Sequence, residues 1–364
     1  MARRGPPPVP PGSAPLPAPR PFPASGSRRR RRRRRLPHLV ATLALLVAPV
    51  AVAAAAYVGL GPDRDSHGST ALPLAAGSPS PQELVEQTEP RAPEEPGPLV
   101  EGEPVPGIPL TGVDAFHVRI RKPPRAALVF DLDSGDVLWR RRPLRTVPIA
   151  SLTKIMTALL VVERTRPGEP VRITRAALRY TGSGVGLLPR GRRVRLETLL
   201  NGLLLVSGND AAIALAVHVS GSERRFVRLM NRRAREWGLD CTRFASSHGL
   251  EDGNRSCARD LAVMTRIAMS KPRIRRIARR RQVSFRFPIK GGRLYLTGHN
   301  PLIRLGYRGA VGLKTGYTSA AGRCFVGVAR RGGRRMGVVL LNSRDPSRHA
   351  PVLLDAAFKR VRAG

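Results

Sequence analysis

Cysteine, aromatic residues and lysine are scarce in this chain, and acidic residues are heavily outnumbered. Three cysteines (Cys241, Cys257 and Cys324) in 364 residues exclude a disulfide-dense scaffold and permit at most one internal bridge. None belongs to a C-x-x-C pair or a Cys/His cluster, so no metal site is expected, and each reads as a small buried residue. Aromatic residues make up 4% of the sequence, few for the stacking platforms that hold single-stranded nucleic acid. Lysine supplies six of the 64 basic residues against 25 acidic ones, so the net charge of +39 rests on arginine. Such a charge suits anionic polymers, yet the arginines are spread over every segment and no nucleic-acid partner is expected. A G-x-S-x-G elbow and an internal repeat are also missing.

The residues that are present divide the chain into four parts. Residues 1–35 are Pro-rich and end in eight consecutive arginines, Arg28 to Arg35, with almost nothing to bury, which predicts a disordered basic segment. Residues 36–60 form one uncharged apolar run, long enough to cross a hydrocarbon core of about 30 Å. The arginines ahead of it place the N-terminus in the cytoplasm and the residues beyond the run outside it. Its length favours a retained signal anchor, whereas Ala51 to Ala56 offers signal-peptidase sites. Residues 61–112 are acidic and Pro-rich, a tether. Residues 113–364 carry 51 of the basic and 16 of the acidic residues and have the patterning of one folded domain. Their densest basic stretch, Lys271 to Arg281, is a candidate contact for wall polymers or lipid headgroups.

Within that domain, Arg125 to Arg142 reads as a hairpin turning at Ser134-Gly135, and Cys324–Ala329 with Met336–Leu341 as a second one turning at Gly332-Gly333. The stretch "RQVSFRF", residues 281–287, has the texture of a further strand. Between the hairpins lie helical patterns at Ile149–Leu160, on both sides of Ser207-Gly208, at Ser222–Leu239 behind a serine cap, and at Arg255–Met269; His349–Val361 closes the chain. Early and late strands with helices inserted between them predict an α+β fold: an antiparallel sheet flanked by helices, plus a helical lobe.

Three short motifs carry the chemistry. Ser151 and Lys154, in "IASLTKIMTALL", stand one turn apart at the start of an apolar helix. A serine needs a base to become a nucleophile, and a lysine serves when its surroundings lower its pKa. Ser207 and Asn209, in "VSGND", sit at a break between helices. Lys314, Thr315, Gly316 and Tyr317, in "GLKTGYT", lie on a strand whose glycine would let a substrate lie along the edge. Each motif alone is common; S-x-x-K, S-D-N and K-T-G in this order form the signature of penicillin-binding proteins and class A β-lactamases, and the middle element here is S-G-N. With "SGNDAAIALA", "SSHGLED" and "LKTGYTSAAGRC", residues 126–357 resemble the low-molecular-mass D-alanyl-D-alanine carboxypeptidases, peptidase family S11.

The resemblance implies a serine β-lactamase/D,D-peptidase-like fold and a set of roles. Ser151 would be the acylated nucleophile and Lys154 its base. Ser207 would relay a proton to the departing amine, and Asn209 would bind the peptide amide. Lys314 and Thr315 would hold the terminal carboxylate, and the backbone N–H groups of Ser151 and Tyr317 would form the oxyanion hole. The substrate would be a peptidoglycan stem pentapeptide, β-lactam antibiotics would act as covalent inhibitors, and no cofactor or metal would be needed. His248 falls in a segment that the resemblance treats as a structural loop. Three alternatives stand beside this one: a D,D-endopeptidase on crosslinks, a β-lactamase, and a non-catalytic binder of anionic wall polymers. The E-x-x-x-N segment of class A β-lactamases is missing between the second and third motifs.

Overall fold

Hairpins from opposite ends of the domain meet in one sheet. The computed structural model describes residues 107–362. The basic segment 1–35, the apolar run 36–60 and nearly all of the tether 61–112 lie outside the described residues. Among the described residues no helix is long and apolar enough to cross a membrane.

The first half runs β1 (Ala126–Asp131), β2 (Val137–Arg141), β3 (Val147–Pro148), a 3-10 turn (Ala150–Thr153), α1 (Lys154–Arg164), β4 (Pro170–Arg172), α2 (Arg175–Leu178), β5 (Arg193–Arg195), α3 (Leu196–Leu204) and α4 (Asn209–Ser220). Next come α5 (Glu223–Glu236), β6 (Arg255–Ser256), α6 (Ala258–Ser270), α7 (Pro272–Ala278), β7 (Gln282–Arg286) and β8 (Arg293–Thr297). The last elements are α8 (Pro301–Arg304), β9 (Ala310–Thr318), β10 (Gly322–Arg331), β11 (Arg334–Leu341) and α9 (Pro346–Arg362).

The main sheet has the order β2-β1-β11-β10-β9 and is antiparallel throughout. All six residues of β1 are buried. Their side chains alternate between two cores: Ala126, Leu128 and Phe130 join α1 and α6 on one face, while Ala127 and Val129 join Leu353, Leu354 and Phe358 of α9 on the other. A strand covered on both faces loses the polar alternation of a half-exposed one, which explains the unbroken apolar run. Helices α2 to α5 form the lobe beyond α1. Strand β9 is left as the sheet's edge, facing the 3-10 turn and the α3–α4 break.

Both expected hairpins form, with Gly332 and Gly333 at positive φ. Ser222 caps α5 through its hydroxyl, which accepts from the Arg225 N–H at 3.2 Å. Other boundaries differ. Arg255–Ser256 pairs with Val147–Pro148 as β6, so α6 begins at Ala258 rather than Arg255. The terminal helix begins at Pro346 rather than His349. Strand β8 partners β7 and was not marked by the pattern. Packing also starts ahead of Val113, because Ile108 is buried in the larger core.

Two further expectations are corrected. Cys241 and Cys257 are joined in a disulfide with their Cα atoms 5.5 Å apart, so only Cys324 is a lone buried cysteine, and burial pushes its thiol up to about 11. The stretch Lys271 to Arg281 is not a free basic patch. It folds into α7, and several of its arginines turn inward: Arg273 donates to Thr165 O at 2.7 Å and pairs with Glu197, Arg275 donates to Met269 O, and Arg280 donates to Asn201 Oδ1.

Candidate active site

Three chain segments converge at the open edge of β9. Ser151 lies in the 3-10 turn and Lys154 is the first residue of α1, so the expected single helix begins as a tighter turn. Lys154 has no exposed surface. Burial of its ammonium is the first reason its pKa falls well below the ordinary lysine value, and the charge of Lys314 is the second; Asp210 and Glu251 oppose the shift.

Lys154 Nζ has three partners: Asn209 Oδ1 at 2.6 Å, the carbonyl oxygen of His248 at 2.7 Å and Ser151 Oγ at 3.0 Å. The first two can only accept. Asn209 is oriented by its other end, where Nδ2 donates to Thr181 O at 2.6 Å. A neutral amine has two N–H bonds and one lone pair. Both N–H bonds go to Asn209 and His248, which leaves the lone pair for the Ser151 hydroxyl. That is the arrangement of a base beside its nucleophile.

The acceptor at His248 is held by a wired loop. Asn254 Oδ1 accepts from the N–H groups of Ala245 and Ser246, while its Nδ2 donates to Ser246 Oγ and Glu251 O. Thr157 Oγ1 donates to Ser247 O at 2.6 Å, pinning the loop to α1. Gly249 has φ +88°, and a Cβ there would stand 2.1 Å from Ala150 O, so only glycine lets the loop reach the turn that carries Ser151. The disulfide ties the two ends of this segment.

Ser207 lies in the α3–α4 break, 6% exposed and in the left-handed region at φ 62°. Its neighbour Asp210 is fully buried. The Asp210 carboxylate accepts from the backbone N–H groups of Val185, Gly186 and Ala211 at 2.7 to 2.9 Å, fastening residues 183–186 along the cleft. This loop, Asp210, Asn254 and the His248 carbonyl shape the cleft and are not marked by the sequence motifs. The glycines of "TGSGVG" are the only signal of the loop.

On β9, Lys314 is 1% exposed, and burial lowers its pKa to about 7. Its Nζ donates to Thr315 O at 2.9 Å. Thr315 is half-buried and Tyr317 is exposed at the rim. Gly316 serves a closer contact than expected: a Cβ there would lie 3.0 Å from Ile149 O and 3.1 Å from Ser151 N. The missing side chain brings the strand against the backbone of Ser151 and leaves the backbone N–H groups of Ser151 and Tyr317 on neighbouring segments.

His248 contributes its carbonyl; its imidazole stands 3.7 Å from Glu223 and Glu251 carboxylates. Among the described residues one group, Cys241, Cys257 and Asp260, is close enough in space to hold a cation. Its two sulfurs are bonded to each other and Asp260 accepts from Cys241 N and Thr242 Oγ1, so it has no free thiolate to offer.

Comparison with known proteins agrees with this geometry. The family model described as D-alanyl-D-alanine carboxypeptidase, peptidase S11, matches residues 120–345. D-alanyl-D-alanine carboxypeptidase DacF of Bacillus subtilis is 34% identical over 65% of this chain and 62% of its own length. The chain thus spans rather less than two thirds of that relative. A crystal structure of a D-alanyl-D-alanine carboxypeptidase from Mycobacterium tuberculosis superposes with a TM-score of 0.63 at 34% identity, covering 68% of this chain and 96% of that one. The Streptomyces K15 DD-transpeptidase superposes with a TM-score of 0.62 at 27% identity, covering 67% and 100%. With the three motifs gathered on one cleft and the family model covering more than half of its length, this chain belongs to the D-alanyl-D-alanine carboxypeptidase family, peptidase S11.

Proposed function

We propose that the protein is a serine D-alanyl-D-alanine carboxypeptidase that removes the terminal D-alanine from peptidoglycan stem pentapeptides. The observation that supports this reading is the coordination of Lys154, whose two N–H bonds are taken by obligate acceptors while its remaining face meets Ser151 Oγ.

In this mechanism Lys154 takes the Ser151 proton as Oγ attacks the carbonyl carbon of the penultimate D-alanine. The backbone N–H groups of Ser151 and Tyr317 receive the oxyanion. Lys314 and Thr315 bind the terminal carboxylate, and the free N–H of the Asn209 amide binds the stem peptide. As the C–N bond breaks, Ser207 passes a proton from Lys154 to the departing amine, releasing D-alanine and leaving an acyl-ester on Ser151. Water then attacks the ester, with Lys154 again accepting a proton, and frees the tetrapeptide and the serine. β-Lactams acylate Ser151 by the same attack, and their ring-opened product has no leaving amine to depart.

The same reading puts the domain outside the cytoplasmic membrane, tethered through residues 36–60, with its excess arginine facing anionic wall polymers.

Intact-mass spectrometry after mixing with benzylpenicillin, and separately with a pentapeptide ending in D-alanyl-D-alanine, tests the proposal. A penicilloyl adduct on Ser151 together with released D-alanine is expected. An adduct without D-alanine would point to a D,D-endopeptidase acting on crosslinks. No adduct from folded protein would overturn the enzymatic reading.

A further inference from the structure

An open groove of about 450 Å³ lies between residues 119–122 and the start of α9. Arg119, Arg121, Lys122, Arg344 and Arg348 line it, and Asp345 is the one acidic side chain of the lining. All five cations are exposed. Ion pairs among the described residues involve other arginines. Asp345 is partly occupied, because its carboxylate accepts from the Arg348 N–H at 3.2 Å. Ile120 and the 45% exposed Val352 supply apolar surface between the charges.

We propose that this groove binds a phosphodiester-linked polyol, an anionic wall polymer. Guanidinium groups match phosphate oxygens in a bidentate fork, and a polyol phosphate alternates charge with short aliphatic links, as the lining alternates arginine with Ile120 and Val352. The one ring in the lining, His349, is 6% exposed and its Nδ1 is engaged by Ser343 Oγ at 2.8 Å, so the groove offers no open aromatic face on which a base could stack, which favours a polyol chain over a nucleic acid.

The groove is also placed to matter. The carbonyl of Arg344 accepts from Arg323 Nη1 at 2.8 Å, and Arg323 lies opposite Tyr317 across β10 and β9. The groove therefore opens at the end of the sheet where the K-T-G strand leaves the cleft. A polymer seated there keeps the enzyme beside wall material while Ser151 acts on peptides. The source of the polymer rests on the exported location proposed above; the groove and its chemistry do not.

The test is arginine footprinting of the intact chain with phenylglyoxal, read residue by residue by peptide mass spectrometry, so that Arg28 to Arg35 do not mask the result. A short oligo(glycerol phosphate) should slow modification of Arg119, Arg121, Arg344 and Arg348 about tenfold at low salt, with protection lost as salt rises. The exposed Arg276 on α7 and Arg279 just past its end should react unchanged. The variant Arg121→Glu/Arg344→Glu, checked for an unaltered melting temperature, should lose protection at Arg119 and Arg348. Uniform protection of every exposed arginine would overturn the site. Equal protection by inorganic phosphate, or stronger protection by anionic lipid vesicles or by oligodeoxythymidylate, would overturn the ligand class. Benzylpenicillin acylation measured in the same sample reports separately on the proposed enzymatic function.

Discussion

The carbonyl oxygen of His248 accepts from Lys154 Nζ at 2.7 Å, so the residue serves the site through its backbone. Its imidazole faces Glu223 and Glu251 instead, and burial lowers the ring's pKa. His248→Ala should therefore leave most of the penicillin acylation rate intact. A hundredfold loss in stopped-flow acylation would give the ring a part in catalysis.

Ser151→Ala and Lys154→Ala should each abolish the penicilloyl adduct on the timescale of native acylation. Removing a positioned base costs about 10²- to 10⁴-fold, and in Lys154→Ala the acceptors at Asn209 and His248 lose their donor as well. An adduct retained in Ser151→Ala, seen by intact mass, would sink the nucleophile assignment.

The buried lysine of β9 predicts a pH profile. Lys314, lowered to about 7 by burial, must be charged to bind a carboxylate, so acylation by a carboxylate-bearing β-lactam should fall as pH rises through that value. Lys314→Arg keeps its charge at every working pH and should flatten the alkaline fall at a lower absolute rate. An unchanged alkaline limb in that variant would assign the fall to another group. Stability should move the opposite way. Between about pH 7 and the unfolded lysine value near 10.4 the unfolded chain holds more protons than the folded one, so this residue makes stability rise with pH across that window.

Gly316→Ala adds one carbon between β9 and the turn that carries Ser151. The strand must retreat by a few tenths of an ångström at the oxyanion site, and misplacement of the order of 1 Å there costs about 10²-fold in rate. Acylation should drop by one to two orders of magnitude while the melting temperature changes little. A native rate would show that the contact relaxes without moving the backbone N–H groups.

Removing the Cys241–Cys257 bridge should lower stability. A closed loop of this length contributes about 3 kcal/mol in the chain-entropy account, or a melting shift of about 10 °C for a domain of this size. Differential scanning calorimetry of Cys241→Ser/Cys257→Ser, with and without reductant, checks it: native protein should shift on reduction and the variant should not. An unshifted native melt in reductant, with the bond shown to be open, would remove the bridge from the stability of the fold.

The features legible in the sequence are local. Ser134-Gly135, Gly332-Gly333 and the Ser222 cap each carry their own structural instruction, and the three motifs stand out as short strings. The features that escape it depend on partners distant in the chain. A backbone carbonyl such as that of His248 has no residue type to betray it, Asp210 looks like any helix-end carboxylate until residues 183–186 fold over it, and the arginines of α7 give no sign in sequence that Thr165, Glu197 and Asn201 will receive them. The cysteines obey the same rule, since composition limits their pairing but only the adjacency of β6 and α6 to residue 241 decides it.

The pairing of β1 with β11 bears on how the protein comes into being. The register from Ala126 to Leu341 joins strands separated by almost the whole domain, and such distant contacts slow folding because a long loop must close before they reward it. Both faces of β1 are apolar, and until the final strand is made the nascent chain can cover only one edge of it, by pairing with β2. Synthesis must run nearly to completion before the sheet can close, and until then the emerging chain is vulnerable enough to need shelter.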